Sequence, residues 1–379
     1  MGEVPLAVLS TRLYEAGEFV ERYASDLALE LAHRLRLDEA IDRGKTLPEI
    51  RRAAGFVMEE DAALSWLLRR LAEAGHLEAD ESAGERRYSM PGPLRTAEVA
   101  LLRPLGLDLD PSLRPTLAIL DAAAETLPGV LAGTATGEQA LFSGARMQLW
   151  LDYFHNGNPT YALNNRLAAI AAANRLRPGP GLRILEVGAG AGSAAEALLD
   201  ELAGRGRLAD VAEYRLTEPN PLLRRRATRS LATRFPGLAL QDQSFDVDLD
   251  PAVQGLGAES FDAVLAVNVL HIARDLRAAL ASVHSLLEPG GWLVVGECLR
   301  LFPGQTIAVE LVFQQLRSFT RVELDPEVRP AHGFLSPEAW RGALTATGFN
   351  EIAVVPDLER IRHYYAHFFT GAICGRRPD

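Results

Sequence analysis

Two residues in this 379-residue chain have the types and placement to move a proton. His271 stands in "VNVLHIARDL", directly after an apolar run, Phe261–Val267, that reads as a buried strand. Glu297 closes the next such run, in "WLVVGECLR". Neighbouring parallel strands end close together, so the two side chains can meet. A neutral imidazole is well suited to take the proton that an oxygen or carbon nucleophile must lose. A carboxylate beside it orients the ring and stabilises the imidazolium that forms. The plainer reading of the pair is a helix-capping His271 and a structural acid at Glu297.

A second stretch, "LRILEVGAGAGSAAEALL", begins at Leu182 and indicates a ligand. An apolar run ends in Glu186, and Gly188, Gly190 and Gly192 follow before an Ala-rich helix. Glycines at a strand-to-helix turn let backbone N–H groups approach a ligand closely. The spacing is G-x-G-x-G, with Ser193 where the dinucleotide fingerprint has its third small residue. Glu186 opposes a pyrophosphate and suits a ligand with positive charge and hydroxyls. Two further run-ends carry matching groups. "YRLTEPN" puts Glu218 where it can accept from both hydroxyls of a ribose. "QDQSFDVDLD" offers Phe245 to cover an adenine face and Asp246 to accept from its amino group. S-adenosylmethionine has an ammonium, a sulfonium and a ribose diol.

The elements that must hold these groups follow from texture. Strand candidates are 183–187, 213–217, 238–245, Phe261–Val267, 292–296, 351–355 and 368–374, the first five separated by helical stretches. That alternation predicts an α/β fold, a doubly wound sheet binding ligands at the carboxyl ends of its strands, with a partly antiparallel edge. The N-terminal part is helical. In "TLPEIRRAAGF", Thr46 can cap, Pro48 suits the first turn and Gly55 can end the helix. A second helix over "EEDAALSWLLRRLAEAG" and two short strands around "ESAGE" complete a winged-helix-like pattern. The expected segments are therefore 1–100, winged-helix-like; 101–165, a helical connector; and 166–379, the ligand-binding domain.

Composition narrows the function. The net charge of −11 argues against nucleic acid or an anionic membrane as partner. A winged-helix regulator needs a basic recognition helix, and only Arg69 and Arg70 are adjacent on the second one. Two cysteines, far apart, form no disulfide framework and suit a reducing cytoplasm. The histidines form no metal-spaced cluster, so no metal is expected. The first residues lack a signal-peptide pattern, and Leu6 breaks the myristoylation motif. No apolar run is long enough to span a bilayer.

"ILEVGAGAGS", "TEPN", "FDVD" and "LLEPGGWLVVGE" resemble the successive motifs of class I S-adenosylmethionine-dependent methyltransferases, with a Rossmann-like sheet. The resemblance implies S-adenosylmethionine as cofactor, held by Glu186, Gly188, Gly190, Glu218 and Asp246, with Phe245 and Asn268 counted beside them as cofactor contacts. With the helical first half, the chain is similar to bacterial small-molecule O-methyltransferases, in which that half dimerises and closes the acceptor pocket. This implies a homodimer acting on a hydroxyl or enol oxygen of a polyketide-like or aromatic intermediate, with His271 as base. "NVLHIARDL" lacks the Asp-Trp that usually follows this His in those enzymes and is closer to polyketide synthase C-methyltransferase domains. Carbon methylation is thus the alternative. Tyr153, His155 and Tyr161 in "LWLDYFHNGNPTYALNN", Phe313 and Gln314 in "TIAVELVFQQLRSF", and His332 are the candidate acceptor contacts.

Overall fold

The computed structural model describes every residue except 1–3, 6–7, 42–43, 82–83, 303 and 366–367. Leu6, His367 and the turn at 82–83 lie outside the described residues. The chain forms two compact units, one of Glu15–Tyr153 with Phe302–Thr320, the other of Met1–Tyr14, Phe154–Leu301 and Arg321–Asp379. No helix among the described residues is long and apolar enough to cross a membrane.

In the mainly helical unit, strand β1 (Lys45–Thr46) leads into the helix Leu47–Ala54. Thr46 and Glu49 form a reciprocal capping box, Pro48 sits in the first turn, and Gly55 closes the helix at φ 73°. The helix Asp61–Glu73 buries Leu64, Trp66, Leu67, Leu68 and Leu71. Strands β2 (Glu78–Asp80) and β3 (Arg87–Ser89) then pair, and β3 also pairs with β1. The two-residue β1 was not anticipated, because it is too short to carry a period.

Residues 302–320 join this unit although the sequence divides into three consecutive segments on texture. Buried polar bonds account for the difference. Arg70 pairs with Glu21 at 2.7 Å and donates to Thr306 Oγ1 at 3.3 Å. Gln315 Nε2 donates to the Ala123 carbonyl at 3.0 Å. Such long-range ties between buried groups are costly to leave unmade and leave no trace in local pattern.

The other unit is built on a seven-stranded sheet. Its strands are β4 (Leu182–Val187), β5 (Val211–Thr217), β6 (Leu240–Gln243), β7 (Phe261–Val267), β8 (Leu287–Cys298), β9 (Asn350–Val355) and β10 (Thr370–Arg376). Their order is β6-β5-β4-β7-β8-β10-β9. The first five run parallel, and β10 is antiparallel to both neighbours. The chain turns from β5 to β7 on opposite sides of β4, so the crevice beyond β4 and β7 is the switch point where ligands bind. Leu185, Val264, Leu293 and Ile373 lie in one core cluster, and Ile184, Leu216, Ala263 and Val294 in another. This is the alternation that a sheet covered on both faces requires.

Candidate active site

Glu186, Glu218, His271 and Glu297 all lie at or just beyond the carboxyl ends of parallel strands, as their places in the sequence imply. After β7 the backbone enters the left-handed region at Asn268, φ 54°, whose N–H donates to the Gly296 carbonyl on β8 at 2.8 Å. A single 3-10 turn, Leu270–Ile272, then presents His271. His271 Nδ1 lies 2.8 Å from Glu297 Oε2, with the residues 4% and 0% exposed. An ionised carboxylate only accepts, so Nδ1–H donates and Nε2 carries the lone pair. Phe334 packs its ring 4.9 Å from the imidazole. Glu297 Oε1 is buried with no hydrogen-bond partner.

The glycine turn is held by the residue that follows β5. Gly188, Gly190 and Gly192 all have positive φ, where a Cβ is strained. Glu218 Oε2 accepts from the Gly190 amide at 2.9 Å and Oε1 from the Asn220 amide at 2.8 Å. Each carboxylate oxygen has a second lone pair, so Glu218 can still take two ribose hydroxyls. A Cβ built on Gly190 meets nothing within 4 Å, whereas one on Gly188 would come 2.3 Å from Val269. The turn is therefore closed on the protein side and open at Gly190, a cradle that fits S-adenosylmethionine. Replacing Glu218 with Ala should weaken S-adenosylhomocysteine binding by ~1–3 kcal/mol, because charge-assisted bonds are lost and the Gly190 amide is released. Calorimetry giving wild-type affinity would remove Glu218 from the site.

Glu186 lies on β4, one residue before its end. It is 1% exposed and accepts from the Tyr214 hydroxyl at 2.9 Å. Burial raises its pKa from the ordinary 4.5 to about 7, against the Tyr214 and Ala195 hydrogen bonds, which lower it. Glu186 remains proposed as a cofactor contact at the end of β4. The raised value has a consequence for stability. The folded chain holds this proton more tightly than the unfolded chain, so stability is lost as pH rises from about 4.5 to about 7. Glu186→Gln should therefore raise the melting temperature at pH 8, by ~1–3 kcal/mol of stability, and change little at pH 4.5. An equal shift at both pH values would count against this account.

The third strand departs from expectation. β6 ends at Gln243, two residues before Phe245. Phe245 is 1% exposed in the core with Leu185, Val187 and Val264. Its ring packs against the sheet, and its covering of an adenine face stays a proposal. Asp246 is exposed, and its Oδ1 accepts from the Asp248 amide at 3.0 Å in a local turn. Asn268 Oδ1 accepts from Asn164 Nδ2 at 3.0 Å. The Tyr161 hydroxyl lies in the same buried surroundings. Burial raises its pKa, the Asn268 amide lowers it, and the charges of Glu186 and Glu297 push it further up.

The remaining candidates divide. His155 is exposed, and its Nδ1 accepts from the Gly157 amide at 2.9 Å, so it serves its own turn. His332 is half-buried, and its carbonyl accepts from Arg300 at 3.0 Å. Tyr153, Phe313 and Gln314 belong to the mainly helical unit. There Trp150 meets Tyr153 edge-on at 6.3 Å and Phe313 at 6.4 Å. Sequence reasoning missed Tyr214, Phe334 and Arg329, none of which carries a local signal.

The profile described as "Methyltransferase domain" matches residues 185–293. Over 181 residues the chain is 36% identical to the highly reducing polyketide synthase ALT1 of Alternaria alternata, covering 47% of this chain and 6% of that one. Curated relatives of this kind are much longer, and the chain spans 5% to 16% of their length. Among solved structures, the DszA carbon methyltransferase is 26% identical with a TM-score of 0.75, covering 96% of this chain and 90% of that one. The CurJ carbon methyltransferase is similar in fold, at 24% identity and a TM-score of 0.78, covering 96% and 93%.

Proposed function

We propose that this chain, a class I S-adenosylmethionine-dependent methyltransferase resembling polyketide synthase C-methyltransferase domains, methylates the carbon between the two carbonyls of a β-keto acyl substrate. The observation that carries the reading is the buried His271–Glu297 pair at the ends of β7 and β8. S-adenosylmethionine supplies an electrophilic methyl group on a sulfonium and is left as S-adenosylhomocysteine. Glu218 and the turn at Gly188 and Gly190 hold its ribose and backbone, with Asp246, Asn268 and Tyr161 proposed as further contacts. His271 Nε2 takes the proton from the substrate carbon, and Glu297 stabilises the imidazolium. The electron pair left on carbon forms the new C–C bond as the C–S bond breaks.

The oxygen acceptor favoured by the sequence reading gives way to carbon. A base–acid pair serves either atom, so the preference comes from the similar proteins, whose names specify carbon and whose solved chains match nearly this whole chain. The dyad lies within one chain, so proton transfer needs no second copy. The homodimer of the oxygen reading rests on that likeness alone.

The test is proton exchange. With S-adenosylhomocysteine in place of the methyl donor, the enzyme in deuterated buffer should exchange the α-proton of a β-keto N-acetylcysteamine thioester faster than buffer alone. His271→Ala should fall to the buffer rate. Exchange at the buffer rate with wild type would sink the reading.

A further inference from the structure

We propose that Arg329 is a positioning residue for this proton transfer, gripping the backbone turn that carries His271. The proposal rests on the dyad reading. Arg329 is 0% exposed. Its Nη1 donates to the Ala273 carbonyl at 2.6 Å, and its Nη2 to those of His271 at 3.0 Å and Leu270 at 3.2 Å. Among the described residues it makes no ion pair within 4.0 Å. A buried guanidinium without a carboxylate partner costs several kcal/mol, unless its donors are used and nearby charge offsets it.

Here Nη1 and Nη2 both donate to the turn that presents the base, while Nε is buried without a hydrogen-bond partner. That turn is a single one. The bonds that close it, from the Ile272 amide to Val269 and the Ala273 amide to Leu270, are both 3.2 Å long. It follows directly on the left-handed Asn268. One planar fork serves the Leu270, His271 and Ala273 carbonyls together, the first of which also accepts from the Ala273 amide.

Arg329 is itself fixed. Its amide donates to the Asp325 carbonyl at 2.7 Å, and the Asp325 side chain pairs with Arg277 at 2.8 Å on the helix Leu276–Leu286. Five residues on, the same segment lays Phe334 against the imidazole. Residues 325–334 thus hold His271 at its carbonyl and at its ring. Arg329 touches neither reacting group.

The experiment uses the full chain, S-adenosylmethionine and a β-keto N-acetylcysteamine thioester. Arg329→Met should lower kcat by about 10–100-fold, the usual penalty for a loosened catalytic group, with KM and S-adenosylhomocysteine affinity within about threefold. Arg329→Lys should recover part of kcat, because it keeps the charge but reaches fewer carbonyls. In a His271→Ala background, Arg329→Met should cost less than about threefold. The His271 Nδ1–H resonance should shift or broaden in Arg329→Met, a readout independent of turnover. Should Arg329→Met not fold, Arg329→Lys supplies the same comparisons. An equal loss in both backgrounds, or wild-type kcat in Arg329→Met, overturns the proposal. A fully active His271→Ala would overturn the dyad reading instead, and the resonance would then decide whether Arg329 still positions the ring.

Discussion

His271→Ala should lower methyl transfer by about 10²–10⁴-fold and leave S-adenosylhomocysteine binding nearly intact, as expected for a positioned general base. The selectivity follows from placement. His271 lies beyond β7 and bonds to Glu297, whereas the Glu218 carboxylate and the Gly190 amide form a separate cluster beyond β4 and β5. The size of the loss should depend on the substrate. A carbon between two carbonyls is acidic enough for solvent to take part of its proton at high pH. The deficit should therefore shrink as pH rises for such a substrate and persist for a less acidic one. Calorimetry with S-adenosylhomocysteine and a pH–rate series on both proteins check the two halves. Wild-type turnover in the variant at every pH would end the case for His271 as base.

Glu297→Gln should cost less, about 10–10²-fold, or ~1.4–2.8 kcal/mol of barrier. The amide oxygen can still accept from Nδ1–H, so ring and tautomer are kept. What is lost is the negative charge beside the imidazolium, and charge-assisted bonds are roughly twice as strong as neutral ones. Oε1 is already buried without a partner. The Gln amide group would occupy that position, and its N–H donors would also need partners. Glu297→Ala should be worse on both counts, because it leaves the Nδ1–H buried and unpaired, at ~1–3 kcal/mol of stability. Turnover and thermal melting of the two variants check this ranking. A Gln variant as impaired as Ala would mean that the carboxylate does more than orient and stabilise.

Much of this was legible in the sequence because function sits where local pattern is strongest. β7 begins and ends where its apolar run does, and that end fixed the place of His271. Thr46, Pro48 and Gly55 marked the bounds of their helix, since caps act through neighbouring residues. β8 was read too short because "EPGG" looks like a turn, although Glu288 to Gly291 continue the strand. The edge strand before Phe245 was read two residues too long at each end. Arg329, Phe334 and Tyr214 were beyond sequence reasoning. Each acts at a distance, on a turn, a ring or a carboxylate from another element, and nothing in its own neighbours marks it.

The central claim is that the methyl group goes to carbon. The direct measurement is the product of this chain with carbon-13 methyl-labelled S-adenosylmethionine and a β-keto N-acetylcysteamine thioester, read by carbon NMR. The account predicts a labelled methyl bonded to the carbon between the two carbonyls, formed by wild type and lost with His271→Ala. A labelled methoxy group on the enol oxygen would contradict it.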